Sequence, residues 1–157
     1  MKPLWIRAGL GLGALRAAWM LGEHLMGART MHFEWIEPSY GLYLLLGSPL
    51  LWFALLLPTQ RKHPPLSWRA LFMNGLGAGL LAGMINVALF WTYTEWLNPQ
   101  YLDGFIRWNV EHSTNTLEVA QREFRLPAFL DILILHPLLV HPLIAMSLGK
   151  ILANTRK

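Results

Sequence analysis

The chain has 157 residues, of which 54% are hydrophobic and 14% charged, with a formal net charge of +4 at pH 7. Soluble domains carry about a quarter charged residues, so this composition points away from a soluble domain and toward an all-α, polytopic membrane protein. Cysteine is absent, which excludes a disulfide framework, a thiolate nucleophile and Cys-based zinc or iron–sulfur sites; the basic pI of 9.8 reads as anchoring to phospholipid rather than as a nucleic-acid face.

A hydrocarbon core about 30 Å thick needs about 20 predominantly apolar residues, and four segments provide them: 4–26, 40–57, 68–93 and 126–152. The first carries Arg7, Arg16 and Glu23. It opens like a signal peptide, with Lys2 and Arg7 before an apolar stretch, but Arg16 interrupts the stretch and no small-x-small site follows, so it is expected to stay as a helix. The second is free of charge. With the amino terminus cytoplasmic, the inner segments hold Lys2, Arg7, Arg61, Lys62, Arg69, Lys150, Arg156 and Lys157, while all nine acidic residues fall on outer segments or outer helix ends. Four transmembrane helices with both termini cytoplasmic therefore satisfy the positive-inside rule. The expected organisation is a single membrane domain over 1–157 in a bacterial inner membrane.

Between the second and third spans, Pro58, Pro64 and Pro65 mark a tight inner turn, with Trp68 suited to the interface. The outer segment 98–125 is long enough for its own structure. Asn98-Pro99 is a helix start, followed by an apolar stripe of Leu102, Phe105, Ile106 and Val110. A second start is placed at Asn115, with Glu118 completing a capping box. Both pieces read as amphipathic helices on the outer membrane surface.

In the third span Gly75, Gly79 and Gly83 recur every four residues, leaving one stripe bare for the close approach of another helix. Asn86 falls one turn beyond that stripe. Gly9, Gly11 and Gly13 repeat the theme in the first span.

The fourth span contains LHPLLVHPLI, with His136 and His141 each followed by proline. Five helical residues separate the two histidines by about 140° around the axis, so they are not expected to form a paired metal site. Each proline removes a backbone donor and frees a carbonyl one turn earlier, and a neutral histidine ring beside such a carbonyl is one expectation. The other is a partner: Arg16 reaches nearly the depth of His136, about 15 Å into the membrane, and a midplane arginine needs protein or water around it. Arg16, Glu23, His24, Asn86, Asp131 and His136 could then form a polar line from the outer face to the bundle centre.

The frame Arg7, Gly9, Trp19-Met20-Leu21, Glu23 and Gly27, with the third span ending in Phe90, Trp91 and Tyr93 before Asn98-Pro99 and Tyr101-Leu102, resembles a family of small bacterial four-helix membrane proteins known only as a domain of unknown function. The resemblance implies architecture and no activity; the HPLLVHP motif departs from that family's pattern. Three function classes follow. The first is a non-catalytic accessory or structural subunit of a larger membrane complex, in contact with other subunits or further copies of itself. The second binds haem or a chlorophyll-like pigment through His136, His24 or His141. The third is an oligomeric proton-coupled transporter.

Overall fold

Proline at residue 3 starts the first helix where its missing N–H costs nothing. Helix α1 runs Leu4–Leu25, and Gly27, at φ +81°, ends it. There Ala28 N donates to Glu23 O at 2.9 Å and Gly27 N to His24 O at 3.0 Å, the paired closure of a Schellman motif. The computed structural model of the chain describes residues 3–62, 64–124 and 126–155, apart from the side chains of Lys62, Leu126, Pro127, Ala128, Leu130 and Asp131.

A 3₁₀ turn over Phe33–Trp35 leads into α2 (Ile36–Leu42), which continues through a π turn, Tyr43–Gly47, into α3 (Ser48–Lys62). This composite helix begins earlier than the expected 40–57, because Glu34 and Glu37 are exposed and Pro38 falls in the first turn of α2, where a helix tolerates it. Helix α4 (Trp68–Thr92) is capped by Ser67 Oγ, which accepts from Ala70 N at 3.3 Å, and it too passes into a π turn, Tyr93–Leu97. Helix α5 (Tyr101–His112), α6 (Leu117–Glu123) and α7 (Leu126–Asn154) follow. Two expected starts move: α5 begins after Asn98, whose side chain bonds elsewhere, and Thr116 rather than Asn115 caps α6, accepting from Val119 N at 3.4 Å. Among the described residues there is no strand.

Among the described residues, three helices are long and apolar enough to cross a membrane: Phe33–Arg61, Trp68–Leu97 and Ile132–Asn154. Helix α1, expected as a fourth, spans 22 residues but carries Arg7, Arg16 and Glu23.

The closest packing in the bundle is between α4 and α7. A Cβ on Gly79 would run into the Pro137 carbonyl, and one on Gly75 into the Pro142 backbone, while at Gly83 it would stand 3.2 Å from Ile134 Cα. The glycine stripe thus receives the proline-bearing face of α7 backbone to backbone. Leu133, whose carbonyl is freed by Pro137, directs that oxygen to the Gly83 position. On the other side of α4, Leu81 and Ile85 fill the spaces left by Gly9 and Gly13 of α1.

Two apolar clusters form at opposite ends. Ala8, Leu12, Trp52, Leu56, Ala78 and Ala145 make an aliphatic core at the end where α1 begins, the Leu4 end. At the other, the Gly27 end, Met20, Phe33, Phe90, Tyr93 and Tyr101 pack with Phe105, Trp108 and Phe129.

Candidate functional site: a buried arginine pair

The closure at Gly27 turns the chain back on α1, so that Arg29 returns to Glu23. Its Nε donates to Glu23 Oε2 at 2.7 Å, with the two side chains 3% and 0% exposed. Arg16, two turns earlier on α1, brings Nη1 to 3.5 Å from Glu23 Oε1. Ser39 Oγ donates to the same Oε1 at 2.8 Å and accepts from Trp19 Nε1 at 2.8 Å. One carboxylate therefore serves two guanidinium groups and a hydroxyl. Burying these charges is costly unless they are paired.

Tyrosines flank the pair. Arg16 Cζ lies 4.9 and 5.3 Å from the ring centroids of Tyr40 and Tyr43, and Arg29 Cζ 5.4 and 5.3 Å from those of Tyr93 and Tyr101. These distances allow cation–π attraction. Burial raises the Tyr101 phenol above its ordinary pKa of 10.0 and keeps the ring neutral. Asn98 Nδ2 donates to Arg29 O at 3.0 Å and to Tyr93 Oη at 3.2 Å, fixing the returning turn against the end of α4.

Despite these partners, Nη1 of Arg16, Nη1 of Arg29 and Oδ1 of Asn86 are buried without a hydrogen bond. All three residues line one cavity of about 210 Å³, walled by Phe90, Phe105, Phe124 and Phe129. Its lining combines two buried cations, the exposed carboxylate of Glu37 and aromatic walls.

The residues of the expected polar line are partly gathered here. Arg16 and Glu23 meet directly, and Asn86 faces the same cavity without bonding across the glycine stripe. His136 joins through Tyr40, whose hydroxyl lies 3.1 Å from His136 Nδ1. His24 bonds to Tyr93 Oη at 2.9 Å. His141, only 2% exposed, bonds through Nδ1 to Ser48 Oγ at 3.2 Å. The side chain of Asp131 lies outside the described residues. His136 and His141 thus meet hydroxyls on α2 and α3 rather than the carbonyls freed by Pro137 and Pro142. Among the described residues, no group of three metal-ligating side chains gathers.

Arg29, Ser39, Tyr40 and Tyr43 escape a reading based on hydropathy, because each falls in a turn or near a span boundary. A signal for Arg29 existed in the glycine at 27: a Schellman closure there brings the following residues back over Glu23. Comparison with protein-family profiles, with curated proteins and with solved structures returns no match.

Proposed function

We propose that this chain is a bacterial inner-membrane protein of four spans, acting as a non-catalytic accessory subunit of a larger membrane complex. The fourth span is α1. At 22 residues it is about 33 Å long, and its exposed residues from Trp5 to Leu25 are Trp5, Leu10, Ala14, Ala18, Leu21 and Leu25, all uncharged. Its charges at Arg16 and Glu23 turn inward. The ends of the bundle differ in sign: exposed Arg61, Arg69 and Lys150 lie at the Leu4 end, exposed Glu34, Glu37, Glu95, Asp103 and Glu111 at the other. This supports a cytoplasmic Leu4 end. Half-buried Leu102, Phe105, Ile106 and Val110 opposite exposed Asp103 and Arg107 support α5 as an amphipathic helix on the outer surface.

The observation that carries the subunit reading is a groove of about 690 Å³ on the outside of the bundle, lined by Trp5, Met73, Gly77, Leu80, Met84 and Leu138. It is apolar and Met-rich, with Trp5 packed close against Gly77, and suits an apolar helix of another subunit. The charged side chains of Arg16, Glu23 and Arg29, by contrast, are buried within the chain and offer a partner helix little. The pigment or haem reading has weaker support: His24, His136 and His141 line neither this groove nor the arginine cavity.

Isolation from native membranes in mild detergent tests the reading. A stoichiometric companion that is lost from Gly77→Phe but kept by an exposed control, Leu139→Ala, supports it. A chain that runs alone from native membranes, or one that carries a visible absorption band, rejects it. Orientation is tested separately in this cysteine-free chain: exposed Asn154→Cys should label only from inside and exposed Glu111→Cys only from outside. Gln60, 2% exposed, is unsuitable as a labelling position.

A further inference from the structure

We infer that the arginine cavity binds one monoanionic amphiphile, its oxyanion headgroup on Arg16 and Arg29 and its apolar chain along the phenylalanine wall. The charges come first. Arg16 and Arg29 contribute two positive charges and Glu23 one negative, so the described buried cluster carries one uncompensated positive charge. A buried charge without a counter-charge is strongly disfavoured in a medium of low dielectric constant. Both residues line this cavity, and each guanidinium has one buried nitrogen, Nη1, without a hydrogen bond, that of Arg16 standing 3.5 Å from Glu23 Oε1. Guanidinium N–H groups prefer carboxylate and phosphate oxygens, which accept charge-assisted hydrogen bonds.

The cavity argues for an amphiphile over a bare ion. At about 210 Å³ it exceeds the roughly 30 Å³ share of a single water several-fold. Its aromatic wall would leave the rest of a small hydrated anion poorly solvated, whereas it accommodates methylene groups. Ile132, 54% exposed, lies on the lining and marks where the cavity reaches the apolar surface of α7. A chain could pass there from the cavity into surrounding lipid. Glu37, also on the lining and exposed, disfavours a second negative charge, which selects a phosphodiester or carboxylate headgroup over a dianionic one.

The inference rests on the membrane placement proposed above but not on a partner subunit. Retention in the membrane through an alkaline carbonate wash tests that placement independently. Binding is tested on the full chain, purified in uncharged detergent, by native mass spectrometry and thermal unfolding. The probes are phosphatidylglycerol, oleate, phosphatidylcholine and inorganic phosphate. One phosphatidylglycerol or oleate should remain per chain, with a rise in Tm of about 5–10 °C at a hundredfold excess over Kd. Phosphatidylcholine should give no comparable shift. An equal shift with phosphatidylcholine, or none with either anionic amphiphile, would overturn the inference; so would a full shift with inorganic phosphate alone, which would make the ligand a soluble anion. Arg29→Gln should weaken binding at least tenfold. Because that variant removes a buried pair and can unfold the chain, Glu23→Gln serves as the opposite test: it raises the cluster's positive charge and should tighten phosphatidylglycerol binding. Weaker binding by a folded Glu23→Gln protein counts against the site. Binding of phosphatidylglycerol by Asp131→Asn but not by the natural chain would likewise overturn it, since Asp131 would then be the counter-ion.

Discussion

The two ends of this bundle are held together by different physics. At the Leu4 end, Ala8, Leu12, Trp52, Leu56, Ala78 and Ala145 fill space without forming a charged network. At the Gly27 end, packing is organised around Arg16, Glu23 and Arg29, with tyrosines and phenylalanines about them. Within a bilayer, burying apolar side chains brings little gain over contact with lipid, so the first end depends on shape and close approach. The second depends on charge compensation. Removing a partner there leaves a buried charge, whereas removing a methyl group at the first end leaves only a gap.

That contrast is most sharply tested at Glu23. Glu23→Leu strips the shared anion from two buried cations and should destabilise the fold by about 3–5 kcal/mol, read as the shift in a reversible unfolding titration in mixed micelles. The double change Glu23→Leu with Arg29→Leu should be less damaging than Glu23→Leu alone; a double variant as unstable as the sum of the singles would show that the pair is not coupled. Next in size is Gly79→Leu, which drives a side chain into the Pro137 backbone and should cost about 1–3 kcal/mol by overpacking. Leu80, 48% exposed, is the neighbouring control: Leu80→Ala should stay within about 0.5 kcal/mol in the same titration. Equal tolerance at 79 and 80 would remove close packing as the basis of the α4–α7 contact. The smallest effect is expected at Ser48→Ala, which takes the hydroxyl from buried His141. Intramembrane side-chain hydrogen bonds average about 0.6 kcal/mol, and a loss above about 2 kcal/mol would mean a polar network far stronger than the single Ser48–His141 bond.

These two ends also differed in how readable they were from sequence. The glycine stripe at 75, 79 and 83 announces a bare helix face by its spacing alone, and α7 occupies it. Arg16 and Glu23 declare themselves because ionisable residues are rare in an apolar helix, and their pairing follows from lying seven residues apart on one face. What hydropathy hides is the remainder of the polar centre. Arg29 stands in a turn that only the left-handed residue at Gly27 folds back. Ser39 falls close to the acids at Glu34 and Glu37 and so looks like part of a loop, and Tyr40 like no more than the first residue of a span, although the helix has already begun. The histidines were visible, but their hydroxyl partners Tyr40 and Ser48 are 96 and 93 residues away in the chain, a separation no local pattern spans.

The π turn at Tyr43–Gly47 has a consequence for how tolerant this chain is of insertions and deletions. Tyr40 and Ser48 stand on either side of it and reach two histidines of the same facing helix. In an unbroken α-helix, residues eight apart point about 80° away from one another. A π turn absorbs one extra residue, which makes the pair equivalent to residues seven apart and brings their directions to within about 20°. Loss of a single residue from 43–47 would restore regular winding with the two hydroxyls seven apart and still within about 20° of one another, whereas one further residue there would turn one of them about 100° away. The irregular stretch therefore acts as a phase correction, keeping both hydroxyls on the side of their helix that meets α7.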